Sequence, residues 1–267
     1  MTTLPISVFL ITRNEEARLP ATLAALDWAD QIVVVDSGST DGTVEIARAA
    51  GADVHHRDWT GYGPQKCHAE SLCRHDWMLN LDADEVVTPA LEQELRALWQ
   101  VPPAPGAWKL RILNVYPGDT RPRPFANDYN VVRLYHRDVG GYRDHPLFDR
   151  VDLAKGGKAE QLRAPVHHFP LIDWHHFIDK ENRYSSYQAE TAKPRRWIAL
   201  RLRLVIEMPV AFVKFYFLRR HITGGWKGFF FALTAAFART ARIAKMLERA
   251  DANARKVPQG QVPAAKK

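Results

Sequence analysis

Trp77-Met78-Leu79-Asn80-Leu81-Asp82-Ala83-Asp84-Glu85 runs from an apolar stretch straight into three carboxylates within four residues. Read as a buried strand, the apolar part delivers Asp82 and Asp84 to its C-terminal end, where open α/β sheets bind ligands. Two acids on alternate residues there can hold a hard divalent cation against a diphosphate, because Mg2+ takes one or two carboxylates together with phosphate oxygens. An isolated Asp-x-Asp is common by composition, and acids after a strand often form only a solvated turn. What the neighbouring strands bring to the same edge therefore decides the reading.

Upstream, Ile6 to Ile11 is a continuous apolar, β-branched run, the pattern of a strand covered on both faces. Glu15 to Leu26 reads as a helix. Ile32-Val33-Val34-Val35 is a second buried strand, Thr40-Asp41 can cap a helix to Ala50, and Gly51 stops it. Val54 to His56 is a short third strand, a helix from Pro64 to Arg74 follows, and the fourth strand ends at Leu81. Strands alternating with helices imply βαβ units and a parallel sheet. Strand one then ends in Thr12-Arg13-Asn14-Glu15 and strand two in Asp36-Ser37-Gly38-Ser39-Thr40-Asp41-Gly42-Thr43. Together with Asp82-Ala83-Asp84-Glu85, three strands bring polar groups to one edge, which favours a nucleotide site. Neither a Gly-x-Gly-x-x-Gly turn nor a Gly-Lys-Ser/Thr loop is present, which argues against a dinucleotide oxidoreductase or a P-loop enzyme. Thr88-Pro89 opens a further helix to Trp99, Pro102 to Gly106 breaks the chain, and Ala107–Val115 and Val131–His136 read as strands of an extended second sheet.

The strand-end motifs resemble those of family 2 glycosyltransferases. Thr12-Arg13-Asn14-Glu15 is similar to the family's Thr-x-Asn-Glu opening, Val34 to Thr43 to its second-strand signature, and Leu81 to Asp84 to its Asp-x-Asp. Trp28-Ala29-Asp30, Gly61-Tyr62-Gly63-Pro64-Gln65-Lys66 and Asp82 to Glu85 resemble the branch of bacterial lipopolysaccharide-core β-1,4-glucosyltransferases. The resemblance implies a GT-A fold, α/β with a mainly parallel sheet, and inverting transfer from a nucleotide-diphosphate sugar with Mn2+ or Mg2+ as cofactor. It implies that Thr12 and Glu15, with Asn14 in the same segment, border the uridine. Asp36 would accept the uracil N3–H, a task for a group that accepts but cannot donate. Asp82 would contact ribose or metal, and Asp84 would ligate the metal. Lys66 matches a basic position that could reach a phosphate, although a lysine on a helix is often simply solvated.

Inverting transfer needs a base for the acceptor hydroxyl proton. The family often carries His-Glu followed by Arg after a further strand, and the corresponding stretch here is Asp144-His145-Pro146-Leu147-Phe148-Asp149-Arg150. Phe148-Asp149 replaces His-Glu, which makes Asp149 the first choice for the base, ahead of Asp144 and His145. His167 resembles a family histidine that could contact diphosphate or metal. Neither His167-His168 nor His175-His176 has zinc-site spacing.

Composition divides the chain. Residues 1–192 carry 20 Lys/Arg against 27 Asp/Glu, whereas 193–249 carry 13 against two. No stretch offers about 18 apolar residues free of charge, so a simple transmembrane helix is not expected. Basic residues interleaved with Trp197, Phe212, Phe215, Trp226 and Phe229 to Phe231 instead match helices lying in a membrane interface. The expected plan is a catalytic region at 1–192, a basic, aromatic-rich helical membrane-association region at 193–249, and a disordered tail at 250–267. Helices that only pack on the catalytic region or form a dimer are the plainer reading of 193–249, and nothing resembles an RNA-binding module. Cys67 and Cys73 suit neither a zinc clip nor a disulfide framework, and the start Met1-Thr2-Thr3-Leu4-Pro5 does not read as a signal peptide. The expectation is a peripheral enzyme on the cytoplasmic face of the membrane, moving a hexose (glucose first) from a UDP-sugar to a glycolipid hydroxyl, with no nucleic-acid partner. A polyprenyl-phosphate acceptor and a non-catalytic sugar-nucleotide-binding scaffold are the alternatives.

Overall fold

Apolar β-branched runs become the central strands of the computed structural model, which describes residues 2–146, 149–192 and 197–256, with side chains to residue 252. The first βα units are β1 (Leu4–Thr12), α1 (Leu19–Ala24), β2 (Ala29–Asp36), α2 (Thr43–Ala49), β3 (Asp53–His56), α3 (Tyr62–Ser71) and β4 (Trp77–Asn80). After them come β5 (Glu85–Val87), α4 (Pro89–Leu98), β6 (Ala107–Asn114), β7 (Asp128–His136), β8 (Gly140–Tyr142), β9 (Val151–Leu153) and β10 (Glu160–His168). The C-terminal helices are α5 (Trp174–Thr191), α6 (Trp197–Val213) and α7 (Gly225–Lys256). By contacts the chain divides into two compact units, one of Met1–Pro122 and Asn127–Ile172, the other of Arg123–Ala126 and Asp173–Lys267.

The first unit is built on an eight-stranded sheet of order β3-β2-β1-β4-β7-β6-β10-β5. Strands β3, β2, β1 and β4 pair in parallel, as the βα alternation requires, and β6 with β10 also pair in parallel. Strand β7 runs antiparallel between β4 and β6, and β5 pairs antiparallel with β10. The sheet is thus mixed and mainly parallel. Here the expectation of a second sheet fails: Ala107–Asn114 and Asp128–His136 extend the first one. Without β7, the buried residues Trp77, Met78 and Leu79 would form an open apolar edge, the arrangement that invites mispairing, and Leu134 to His136 close it. One sheet face packs Ile6, Val8 and Leu10 against Leu19, Leu23, Leu91 and Leu95; the other packs Phe9, Val33 and Met78 against Ala69 and Cys73. Each such buried Leu, Ile or Val contributes about 1.5–3 kcal/mol.

Helix α1 is shorter than its apolar spacing suggests. Asn14 adopts φ 56, and Pro20 sits in the first turn, where its fixed φ and missing N–H are tolerated, so residues 13–18 remain a loop. At α4 the expected cap forms, with Thr88 Oγ1 accepting from Leu91 N at 3.2 Å. Both cysteines are free thiols.

The second unit begins at Asp173, before the boundary expected at 192, because α5 contributes its buried face (Phe177, Ser185, Ala189) to the helical group. A π-helical turn, Lys214–Leu218, and a 3-10 turn, His221–Gly224, connect α6 to α7. Arg123 donates to the Arg219 carbonyl at 2.8 Å, satisfying an acceptor that the turn leaves open. Helix α7 continues through the start of the expected tail to Lys256, while residues 257–267 and the basic cluster 193–196 lie outside the described residues. Among the described residues, no helix is long and apolar enough to cross a membrane.

Candidate active site

Strand β4 ends in a buried ionic cluster of which sequence reading saw only part. Asp82 receives Arg133 Nη2 at 2.8 Å and Lys66 Nζ at 3.4 Å. Arg133, on β7, also reaches the fully buried Glu85 at 3.4 Å, and Glu85 Oε2 accepts the Asp82 backbone N–H at 3.0 Å. Asn80 is the hub: its Oδ1 accepts from Lys66 Nζ (3.0 Å), Tyr142 Oη (2.7 Å) and Arg133 Nη1. Burial would raise the Asp82 carboxyl, but the Arg133 charge and then Lys66 carry it well below the usual carboxylate range. For Glu85, burial wins over Arg133 and raises the carboxyl. Asp82 keeps 36% of its side chain exposed, so it can still meet a ligand. Lys66 is neither a solvated lysine nor a freely reaching one; it is fully buried and holds Asp82.

Asp84 has different partners. Its Oδ2 lies 3.0 Å from Arg18 Nη1 and 3.3 Å from His168 Nε2. The antiparallel register of β5 and β10 sets His168 opposite Glu85, and Phe169 N donates to the Asp84 carbonyl at 2.8 Å. His168 Nδ1 lies 2.9 Å from Asn114 Oδ1; an N–H donated there leaves the Nε2 lone pair directed at Asp84. Burial opposes protonation of His168, but the hydrogen bond and charge of Asp84 prevail and raise its pKa. Of the pair, His168 and not His167, the histidine noted from sequence, contacts Asp84. Side chains alternate along a strand, so only one of two neighbours can face Asp84. His175 pairs with Asp179 on α5.

Among the described residues, no three His, Cys, Asp or Glu side chains form a ready-made metal cage. A two-ligand site completed by diphosphate oxygens needs no such cage. Asp84 and His168 converge as one carboxylate and one imidazole, with Arg18 also on Asp84, whereas Asp82 pairs with two cations and no imidazole. That donor set fits Mn2+, or Mg2+ with more reliance on phosphate and water oxygens.

At the ends of β1 and β2, loops close on each other. Asp36 is buried, and its oxygens accept from Gly38 N (2.9 Å), Ser39 N (2.8 Å), Ser39 Oγ (2.5 Å) and Thr12 Oγ1 (3.1 Å). These bonds engage both carboxylate oxygens and fix the loop. Asn14 likewise ties the loops, its Oδ1 accepting from Thr40 N at 2.8 Å. Beside them lies a cleft of about 270 Å³ lined by Thr12, Arg13, Glu15, Ser37, Trp59 and Tyr62. Thr12 and Glu15 therefore border a cavity. Trp59 and Tyr62, edge to face with centroids 4.9 Å apart, are its aromatic wall and were not singled out from sequence.

Asp149, the first choice for the base, contacts the ionic cluster, with Oδ1 2.5 Å from Lys66 Nζ. Leu147 and Phe148 lie outside the described residues. Gly61 and Gly63 let the preceding loop approach: a Cβ on Gly61 (φ 128) would stand 2.5 Å from Pro146 Cα, and one on Gly63 would meet the carbonyls of Arg143 and His145. Tyr62 N donates to the Pro146 carbonyl at 3.1 Å. The Gly-Tyr-Gly sequence thus serves loop docking at the start of α3.

The family model described as Glycosyl transferase family 2 matches residues 7–150. An uncharacterized glycosyltransferase, RP128, of Rickettsia prowazekii (strain Madrid E) is 34% identical over 252 residues, spanning 90% of this chain and 86% of that protein. The lipopolysaccharide core biosynthesis glycosyltransferase LpsC of Rhizobium meliloti (strain 1021) is 30% identical over 255 residues, spanning 92% and 93%. Among solved structures, S. aureus TarS 1-349 aligns over 97% of this chain and 93% of that one, at 14% identity and TM-score 0.43. At that score the likeness supports no inference about donor or acceptor. The matched region contains every strand-end acid of the site, and the mixed, mainly parallel sheet flanked by helices is the GT-A architecture. The chain belongs to glycosyl transferase family 2.

Proposed function

We propose that this enzyme is an inverting hexosyltransferase that moves a sugar, glucose first, from a UDP-sugar to a hydroxyl of a lipopolysaccharide-core or related glycolipid acceptor. The observation that carries the reading is that the two Asp-x-Asp carboxylates have different partners: Asp82 pairs with Arg133 and Lys66, whereas Asp84 pairs with Arg18 and meets the imidazole of His168. Asp82 then takes the ribose, whose hydroxyls can donate to its exposed edge. Asp84 and His168 would hold Mn2+ or Mg2+, which when bound supplies positive charge to the departing diphosphate. The uridine occupies the cleft beside Thr12 and Glu15, with the base against Trp59 and Tyr62. Aromatic stacking of a base is worth about 1–3 kcal/mol. Asp149, held by Lys66, accepts the acceptor's proton. The similarity to a protein named for lipopolysaccharide core biosynthesis supports the acceptor class.

The exposed face of α6 supports work at a membrane surface. Ile198, Leu202, Val205, Ile206, Val210 and Val213 are all exposed and fall on one side of the helix, opposite buried Leu200, Glu207 and Ala211. Arg201 and Arg203 flank that side, and Arg201 stacks on Trp197 at 3.6 Å. An apolar face with cationic flanks and an aromatic end suits an interfacial helix on the anionic cytoplasmic leaflet.

A panel of nucleotide sugars tested by thermal shift, with and without Mn2+, examines the donor reading. A UDP-hexose should raise the melting temperature by mass action, and more so with Mn2+. If no nucleotide-diphosphate sugar moves the melt, the donor reading fails.

A further inference from the structure

The helical unit contains a cavity of about 240 Å³ lined by α5, the π-helical turn Lys214–Leu218 and α7. Turns of this kind are rare and recur at functional sites; this one contributes Phe215 to the cavity wall. Phe231, Ala235 and Ala238 complete an apolar side. Phe231 is fixed between rings, stacked on Phe177 at 4.8 Å and on His221 at 4.4 Å.

The opposite character is concentrated on α7. Arg239 and Arg242 line the cavity, against Glu181 as the one carboxylate among the described lining residues. Arg239 Nε donates to Glu207 at 2.7 Å, but Glu207 also takes Arg203 Nε at 2.7 Å, so one carboxylate serves two guanidinium groups. Arg242 donates to the neutral Gln188 Oε1 at 3.0 Å. Lys245, three residues on, gives its ammonium protons to neutral oxygens, among them Ser185 Oγ at 2.8 Å and Asn182 Oδ1 at 2.7 Å. Among the described lining residues, two guanidinium groups thus stand against one carboxylate, beside an aromatic and alanine wall. Guanidinium forks bind phosphate oxygens in pairs, whereas a bare phosphate has no use for an apolar wall.

We infer that this cavity binds the phosphate head group of a lipid, the phosphate on Arg239 and Arg242 and the first methylenes on Phe215, Phe231 and Ala238. The inference rests on the membrane reading for its ligand source, and gives that reading head-group selectivity that a merely basic surface lacks. Burial raises the Glu181 carboxyl against the opposing charge of Lys180.

The test uses the full chain and a soluble probe, dihexanoyl phosphatidic acid below its micelle concentration, with inorganic phosphate and dihexanoyl phosphatidylcholine alongside. Calorimetric titration should show saturable binding of the phosphatidic acid and much weaker binding of the other two. Arg242→Gln should weaken it about tenfold, the effect of losing one charge-assisted contact. Ala238→Leu, which fills the cavity and keeps every charge, should weaken it comparably. No binding by the unaltered protein, or unchanged affinity in both variants, overturns the inference; equal binding of inorganic phosphate overturns its lipid source. Flotation on phosphatidylglycerol vesicles is scored separately. Protein that binds the short-chain lipid and fails to float sinks the membrane reading alone, while protein that floats and ignores the probe sinks the cavity alone.

Discussion

At the scale of single residues, the site depends on which acids are already neutralised. Arg133 is buried and shared by Asp82, Glu85 and Asn80. Arg133→Met leaves the buried Glu85 without its counter-ion and the partly exposed Asp82 with Lys66 alone, so stability should fall by about 3–5 kcal/mol in denaturant titration, the range for breaking a buried pair. Arg133→Lys restores charge without the fork, and should recover stability more than UDP-sugar affinity. His168 supplies a pH test. Its pKa is raised in the folded protein because Asp84 outweighs burial, so the pair stabilises the metal-free protein fully below about pH 6.5, the ordinary histidine value, and that contribution disappears as pH rises through the raised folded value. Metal binding needs the neutral ring and shows the opposite trend, tightening with pH over the same window. Melting curves from pH 5.5 to 8.5, with and without Mn2+, should therefore diverge as pH rises, and His168→Asn should flatten both dependences. Parallel curves in the unaltered protein would remove His168 from the metal proposal.

At the scale of elements, the loop that carries Asp149 is fastened through the start of α3. Gly63→Ala sets a Cβ against the backbone of Arg143 and His145, so the loop must shift. Transfer should drop about a hundredfold, the scale on which a misplacement of about 1 Å acts, while UDP affinity in the Trp59–Tyr62 cleft changes little. An equal loss of UDP affinity would mean that the loop serves the donor and not the base. The same elements show what the sequence could reveal. Strands β1, β2 and β4 are local βα units with continuous apolar runs, and their acids could be read directly. Arg133 and His168 lie on β7 and β10, whose pairing with β4 and β5 joins distant segments. Hydrophobic periodicity says nothing about such partners, which is also why the second sheet was expected. Strand parity decides which of His167 and His168 meets Asp84, but only once the register is known. Asn80 was hidden inside an apolar run, and the loop bonds that engage Asp36 depend on backbone turns that residue type alone does not give.

For the molecule as a whole, the division of charge is the leading fact: residues 1–192 are net acidic and 193–249 strongly basic. A basic surface alone would bind anionic lipid in a manner that salt abolishes, since screening shortens to about 3 Å at molar ionic strength. The α6 face adds a term that salt does not weaken, because Leu202 and Val205 are 67% and 77% exposed in the absence of a partner. Each fully buried side chain of this kind contributes about 1.5–3 kcal/mol. Two separate losses follow for flotation with phosphatidylglycerol-rich vesicles. Raising salt should weaken binding of the full chain without eliminating it. The double substitution Leu202→Glu, Val205→Glu should reduce binding at every salt concentration and leave the UDP-induced thermal shift intact, because the donor groups all lie within 12–168. Binding that vanishes at high salt and ignores the double substitution would reduce the membrane contact to electrostatics, and α6 would need another partner for its apolar face.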